Sequence, residues 1–313
     1  MTLHTELDTY LTQRRSMGYQ LTTAEYLLRQ FCDWLAERSK TDSFTIDDAV
    51  AWARDHPHAS PVWSAQRLTA VRPFAAWLNA RTGDIDCIPA GLLPVRTTRR
   101  EPYIYTQHDL DHMLTACPQH FRNQRVADTM ATIIGLLAAT GLRIGEALRL
   151  RIADLDIQEH VLTVHATKKP LDRVVPLHPT TTTALTDYLT SPARLATCPA
   201  ERGPIFVNQR GTAFVPATIR QHFRSLTTAI ELHHDGRPSP RLHDLRHTFA
   251  TRHMIAAYRS GADPARTLGL LATWLGHTGI EHTYWYLSAV PELLTAAARR
   301  LEPTPQPDER NPS

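Results

Sequence analysis

The feature that most constrains the fold is a stretch without periodicity, residues 84–101, which divides the 313-residue chain into two unequal parts. This stretch contains two prolines and a cluster of basic residues, as interdomain connections often do. Domains mostly span about 100–200 residues, so a chain of this length with such a break is expected to form two domains. We predict a first domain over residues 1–83, a basic interdomain linker over 84–101 and a second domain over 102–301.

Composition is that of an ordinary globular protein, with 42% hydrophobic and 21% charged residues. It excludes a disordered, collagen-like or coiled-coil chain. The longest nearly apolar stretch, residues 130–142, is too short for a bilayer, which takes about 20 residues. The N-terminus carries acids where a signal peptide would be basic and then apolar. We expect a soluble, cytoplasmic, nucleoid-associated protein whose tail, residues 302–313, is disordered.

The cysteine and lysine content limits which kinds of site the chain can form. Four scattered cysteines with no C-x-x-C pair suit a reducing compartment and argue against a zinc module or a disulfide framework. Of 34 basic residues only three are lysine, and two of these, Lys168 and Lys169, are adjacent. This pair is a sign that the position requires something that arginine cannot do, although genomic base composition alone also favours arginine.

Local patterns predict a mainly α fold with a small β-hairpin. The first part reads as four helices, and residues 23–39 carry an apolar stripe at helical spacing. In the second part, a long helix over residues 125–140 is expected to stop at Gly141, followed by a hairpin of residues 161–165 and 173–177. The chain after residue 216 reads as mostly helical. The fold class is therefore a helical N-terminal domain followed by a mixed α+β domain.

Five short motifs in the second part combine residues that bind phosphate or transfer protons. Taken singly, each motif more often has a structural role. A lone arginine usually lies in solvent, two adjacent lysines usually belong to a polar turn, and a tyrosine beside a tryptophan usually packs in the hydrophobic core. The motifs are Thr-Gly-Leu-Arg143-Ile-Gly-Glu146, the turn Lys168-Lys169, His243-Asp-Leu-Arg246-His247, Leu-Gly-His277 and Thr-Tyr-Trp-Tyr286.

A metal site is the weaker interpretation of one of these motifs. His243 and His247 stand four residues apart, as the ligands of an H-E-x-x-H zinc site do. The glutamate that would act as a base is absent, however, and no third ligand is evident. We expect no metal and no other cofactor.

Together and in this order, the motifs resemble those of the tyrosine recombinases, also called phage-integrase-type recombinases. The resemblance covers about residues 102–300, and the step of nine residues from His277 to Tyr286 is specific to it. The helical first part is similar, by position and helix content, to the core-binding domain of this family. The turn at Lys168 lacks the glycine that is usual in the family.

The resemblance implies a catalytic site in which basic residues surround a DNA phosphate that a tyrosine attacks. Two guanidinium groups can hold the non-bridging oxygens, a histidine can take the tyrosine proton, and a lysine can protonate the leaving 5′-oxygen. Glu146 would orient Arg143, and Lys168, five residues before Arg173, is preferred to Lys169 as the acid. The implied catalytic residues are Arg143, Lys168, His243, Arg246, His277 and Tyr286.

The implied function is that of a site-specific DNA recombinase working through a 3′-phosphotyrosyl intermediate. This covalent bond conserves the energy of the phosphodiester, so neither ATP nor a metal is chemically required. The expected partners are double-stranded DNA with specific recombination sites and further copies of the chain, forming a tetramer on DNA. Weaker candidates for contact with the DNA backbone are Arg96, Arg99, Arg100 and Lys169.

Two alternative functions stay open at this point. A type IB topoisomerase shares the phosphotyrosine chemistry but relaxes DNA without paired sites. A DNA-binding regulator without catalysis is the other alternative, although it would have no use for the tyrosine. For a recombinase, the sequence leaves open whether the natural role is phage integration, transposon movement or chromosome resolution.

Overall fold

The fold was analysed in a computed structural model of the chain. The structure describes residues 2–57, 60–93, 100–165, 172–232 and 239–276. Contacts divide the chain into two compact units, Met1–Arg99 and Arg100–Ser313, here called the N-terminal unit and the C-terminal unit. The predicted tail lies outside the described residues.

The N-terminal unit is helical, as predicted. Its described helices are α1 (Leu3–Ser16), α2 (Thr22–Ala36), α3 (Ile46–Arg54) and α4 (Pro61–Thr82). Side chains cap the starts of two of these helices: the Thr45 side chain accepts a hydrogen bond from the Asp48 N–H, and the Ser60 side chain accepts one from the Trp63 N–H. Helix α4 continues through Pro73 and ends at Gly83, whose φ is +74°.

Aromatic side chains form the centre of this unit. Phe31 packs against Trp52 with ring centroids 5.0 Å apart, and Phe74 is also fully buried. Ile85 and Ile88, which lie inside the predicted linker, are only 3% exposed and belong to the same core. Two isolated isoleucines in an aperiodic segment leave no repeating pattern, so only the packing reveals their role.

The C-terminal unit combines eight described helices with a small sheet, which confirms the predicted fold class. The helices are α5 (Gln107–His120), α6 (Gln124–Thr140), α7 (Ile144–Ala147), α8 (Pro179–Thr190), α9 (Pro192–Leu195), α10 (Pro216–Ala229), α11 (Leu242–Arg259) and α12 (Pro264–Leu275). None of the helices in the described ranges is long and apolar enough to cross a membrane.

Helix α6 is the apolar centre of this unit and ends where the sequence predicts. Gly141 closes it with a φ of +66°, a conformation that glycine adopts most easily. A Cβ on Gly141 would lie 2.7 Å from the Phe249 ring and 2.9 Å from Leu275. The end of α6 is therefore packed tightly against α11 and α12.

The sheet contains the predicted hairpin and one additional strand. Strands β1 (Leu155–Asp156), β2 (Val161–Val164) and β3 (Arg173–Pro176) pair antiparallel in that order. Val164 pairs with Arg173 at the turn end of the hairpin, on either side of the segment that carries the predicted lysine turn. Strand β1 was not predicted, because two residues are too few to show an alternating pattern.

Candidate active site

Five of the expected site residues, Arg100 among them, lie in the described part of the chain, and the C-terminal unit brings the other four together. Arg143 precedes α7, Glu146 lies within it, and His243 and Arg246 lie in the first turns of α11. The remaining expected residues lie outside the described residues: Lys168, Lys169, His277, Tyr286, Arg96 and Arg99.

The buried carboxylate of Glu146 is the centre of this cluster. It accepts hydrogen bonds from the Arg143 backbone N–H (2.9 Å) and from Nη1 of the Arg143 side chain (3.0 Å). Arg173 donates to the same carboxylate at 2.8 Å and 3.3 Å, and Nη1 of Arg246 lies 4.0 Å from Oε2. The expected contact between Glu146 and Arg143 is therefore present, and two further arginines surround the same carboxylate.

Glu146 is ionised near neutral pH. Burial alone would raise the pKa of its carboxyl group. The hydrogen bonds from Arg173 and from the Arg143 backbone outweigh burial and lower the pKa to about 2. The cluster consequently combines three guanidinium groups with one carboxylate, so two positive charges remain to attract an anion.

Arg246 is held rigidly at the meeting point of three helices. Its side chain is 1% exposed; Nη1 donates to the Gly141 carbonyl at the end of α6 (2.9 Å), and Nη2 donates to the Leu275 carbonyl at the end of α12. Helix C-termini carry partial negative charge, so these carbonyls suit a cation. The position of this guanidinium is thus set by the packing of α6, α11 and α12.

The start of α11 is held by its own buried network. Asp244 accepts hydrogen bonds from the backbone and guanidinium of Arg241, and the Tyr105 hydroxyl donates to the Arg241 carbonyl at 2.9 Å. Burial raises the pKa of Asp244, and the bonds from Arg241 limit that rise. This network fixes the turn of α11 that carries His243 and Arg246.

His243 lies one helical turn before Arg246, on the same face of α11. Protein atoms crowd the ring, but a substantial part of its surface stays open to solvent. This desolvation, together with the charges of Arg246 and Arg143, lowers the pKa of His243 to about 4. The imidazole is therefore neutral near pH 7 and able to accept a proton.

His243 and His247, the pair considered as metal ligands, lie one helical turn apart in α11. The rings of His243 and His247 lie edge to face with centroids 4.9 Å apart. Within the part of the chain that the structure describes, no group of three or more His, Cys, Asp or Glu side chains is arranged to hold a metal ion.

Arg173 is a site residue to which the sequence assigned no role. Besides its bonds to Glu146, its Nε donates to the Trp274 carbonyl at 2.8 Å. The signal was its place in the Arg173-Val-Val-Pro motif after the lysine turn, but no local rule predicts the partners of this side chain. Arg100, a weaker candidate, is exposed, and its guanidinium donates to the Ser239 carbonyl at 3.4 Å.

The family assignment follows from comparison with known proteins. A family model described as the phage integrase family matches residues 104–292. The protein named "Putative integrase/recombinase y4rB" of Sinorhizobium fredii is 36% identical over 306 residues, covering 96% of this chain and 97% of that protein. A tyrosine recombinase XerC of Roseiflexus sp. is 31% identical over 83% of this chain and 80% of its own length. The chain belongs to the phage integrase family.

Solved structures of recombinases share the fold. The Tn1549 transposon integrase in complex with a circular intermediate DNA matches with a TM-score of 0.64 at 18% identity, over 96% of this chain and 100% of that one. A lambda integrase dimer bound to a COC′ core site matches with a TM-score of 0.60 at 16% identity, over 91% of this chain and 77% of that one.

These findings confirm the resemblance stated from the motifs. The chain is a tyrosine recombinase, an enzyme class that breaks and rejoins DNA strands at specific sites.

Proposed function

We propose that this recombinase cleaves each DNA strand through Tyr286 and exchanges strands between two recombination sites by way of a 3′-phosphotyrosyl intermediate. The observation that carries the proposal is the pair of arginines at the Glu146 carboxylate, Arg143 and Arg246, with the neutral His243 one helical turn before Arg246. It presents positive charge and a proton acceptor together, as attack on a phosphodiester requires.

Cleavage is a single transesterification step. The Tyr286 hydroxyl oxygen forms a bond to the scissile phosphorus while the bond from phosphorus to the 5′-oxygen breaks. The tyrosine proton passes to His243, and Lys168 donates a proton to the 5′-oxygen. Rejoining is the reverse reaction with a 5′-hydroxyl of the second site as the nucleophile.

The arginines stabilise the charge that develops on the phosphate. Planar guanidinium groups can bind the non-bridging oxygens through two parallel hydrogen bonds, which a lysine does less well. Glu146 restrains Arg143 at 3.0 Å, so little reorganisation is needed as the transition state forms. His277, which follows α12, would donate a further hydrogen bond to the phosphate.

The two units are proposed to bind duplex DNA as a pair. In this proposal, residues 1–83 form the core-binding domain, residues 84–101 the basic linker and residues 102–301 the catalytic domain. Arg96, Arg99, Arg100 and Lys169 contact the DNA backbone, which makes binding salt-sensitive. Four copies act on two sites. A mobile element is the proposed setting, since the relatives include proteins named integrase.

Trapping of covalent protein–DNA tests the proposal against a binding-only protein. Nicked substrates made from the DNA flanking the coding region lose the strand end needed for rejoining, so the phosphotyrosyl adduct accumulates. Wild type and Tyr284→Phe should both form the adduct, whereas Tyr286→Phe should bind DNA without forming it. Peptide mapping that finds DNA on Tyr284 would contradict the assignment of the nucleophile.

A two-site plasmid separates recombination from simple relaxation. Recombinants should appear only when both sites are present. A type IB topoisomerase would instead relax a supercoiled plasmid that carries no such site, and relaxation without recombinants would contradict the proposed strand exchange.

A further inference from the structure

Arg173 has an unusual position for an arginine outside the expected catalytic set. Its side chain is only 16% exposed, and it binds two elements that carry site residues. Nη2 and Nη1 donate to the two oxygens of Glu146 at 2.8 Å and 3.3 Å, and Nε donates to the Trp274 carbonyl near the end of α12 at 2.8 Å. This planar, two-point binding fixes the orientation of a guanidinium as well as its place.

The backbone of Arg173 is equally constrained. It is the first residue of β3 and pairs with Val164, the last residue of β2. The segment between these two residues carries Lys168 and Lys169, so Arg173 is one fixed end of that segment. A shift of the Arg173 backbone would therefore move one of the two points at which the lysine-bearing segment is attached to the sheet.

The residue that caps α12 also lies against this guanidinium. Gly276 has a φ of +63°, and a Cβ there would lie 2.9 Å from Nη1 and 3.2 Å from Cζ of Arg173. The residue that follows Gly276 is His277. Arg173 thus contacts the backbone directly before one proposed catalytic residue and the carboxylate that holds another.

We propose that Arg173 is a positioning residue that sets the placement of the general-acid lysine relative to Arg143 and His277. It acts through Glu146, the Trp274 carbonyl and Gly276, and it touches no reacting atom. The inference rests on the proposed function. Lysine cannot replace it, since a single ammonium group cannot bind both carboxylate oxygens and the carbonyl in this planar arrangement.

The test compares DNA carrying the ordinary 5′-oxygen with DNA carrying sulfur at that bridging position. A thiolate leaves without a proton, so the sulfur substrate needs no positioned acid. Displacements of about 1 Å cost on the order of 100-fold in rate, so Arg173→Lys should slow cleavage of ordinary DNA about 10–100-fold. On the sulfur substrate, the rate loss caused by Arg173→Lys should be at least about tenfold smaller than on ordinary DNA, because the substitution impairs only proton delivery. Lys168→Ala should show the same difference between the two substrates.

A control variant separates positioning from loss of a buried arginine. Arg194 is 2% exposed, and its guanidinium donates to the carbonyls of Ile205, Pro204 and Leu189 in the same unit. Arg194→Lys should lower the melting temperature without changing the ratio of oxygen to sulfur rates. Equal losses on both substrates for Arg173→Lys, or no loss at all, would overturn the proposal.

A second pair of variants decides the question if Arg173→Lys does not fold. Gly276→Ala pushes on the guanidinium while leaving its charge, and Gly261→Ala imposes a similar backbone strain, with a φ of +77° and no atom within 4 Å of the added Cβ. Only Gly276→Ala should cleave ordinary DNA more slowly while cleaving sulfur-bridged DNA at nearly the wild-type rate. Equal ratios of the two cleavage rates in Gly276→Ala and Gly261→Ala would refute the inference. If wild type forms no adduct on either substrate, the proposed function itself fails, which is a different result.

Discussion

His243 shows at the scale of a single residue how surroundings select a chemical role. An ordinary histidine is half protonated near pH 6.5 and so serves poorly as a dedicated base below neutrality. Here, desolvation by surrounding protein and nearby arginines lower the pKa to about 4. The same arginines that are proposed to bind the phosphate therefore also favour the neutral imidazole.

The pH dependence of cleavage should report this shift. The base works only when unprotonated, so kcat/KM for trapping should be level from pH 8 to about 6 and fall as the pH approaches 4. kcat/KM reflects the free enzyme, before a bound phosphate alters the histidine. If kcat/KM instead fell with a midpoint near pH 6.5, and this fall were absent in His243→Gln, the lowered pKa would be contradicted. Circular dichroism over the same range controls for acid unfolding.

At the scale of the element, we predict from the hairpin that Lys168 rather than Lys169 acts as the acid. Neighbouring side chains on a strand point to opposite faces, so only one of Lys168 and Lys169 is expected to face the DNA. Losing a general acid typically costs about 10²–10⁴ in rate, and sulfur at the bridging position removes that cost. Lys168→Ala should therefore cleave ordinary DNA slowly and sulfur-bridged DNA at nearly the wild-type rate.

Lys169→Ala is the matched control for this prediction. It should show at most a modest binding defect, equal on both substrates. Sulfur rescue of Lys169→Ala instead would exchange the two roles. If the sulfur substrate rescued neither variant, the general acid would be another residue, and Lys168 and Lys169 would only contact phosphates.

The junction of α6, α11 and α12 makes a second prediction at this scale. Gly141→Ala adds a Cβ 2.7 Å from the Phe249 ring at a φ of +66°. Overpacking and the left-handed conformation should together cost about 2–4 kcal/mol in the free energy of unfolding. Because the Gly141 carbonyl accepts a hydrogen bond from Arg246, cleavage should fall as well.

Gly135→Ala provides the comparison for this variant. Gly135 lies inside the same helix, and an added Cβ there meets no atom within 4 Å. Alanine favours a helix interior by roughly 1 kcal/mol over glycine, so this variant should be slightly stabilised. Urea unfolding of the two variants measures the difference, and equal midpoints would contradict the packing argument.

At the scale of the whole molecule, positive charge for catalysis is collected from distant parts of the chain. Arg143, Arg173 and Arg246 come from three elements of the C-terminal unit and surround one carboxylate. Guanidinium groups and a lysine can supply the charge that a divalent ion supplies in other enzymes acting on phosphate esters.

Cleavage should consequently be independent of divalent metal. Adduct formation in excess EDTA should match that in magnesium within a small factor, once the salt concentration is held constant to keep DNA binding equal. Complete loss in EDTA with recovery on adding magnesium or zinc would revive the interpretation of His243 and His247 as metal ligands.

Much of the fold was predictable because helix ends and turns are local properties. The capping residues Thr45 and Ser60 and the terminating Gly141 mark helix boundaries in the sequence, and the structure places them there. The hairpin followed from alternation on both sides of the lysine turn. The motif residues Arg143, His243 and Arg246 could be named for the same reason, since each stands at a fixed offset from its neighbours.

The sequence by itself thus determined the family, the helices and the residues with chemical potential. Only the tertiary structure decided how they act together. Glu146 and Arg173 are 27 residues apart, and Arg173 and Trp274 are 101 residues apart, yet each pair is joined by a hydrogen bond of 2.8 Å. The pKa of His243 likewise depends on burial by surrounding elements and on the charge of Arg143, neither of which α11 alone provides. Such contacts arise when packing of the apolar core brings distant polar groups together, and no local pattern encodes which groups will meet.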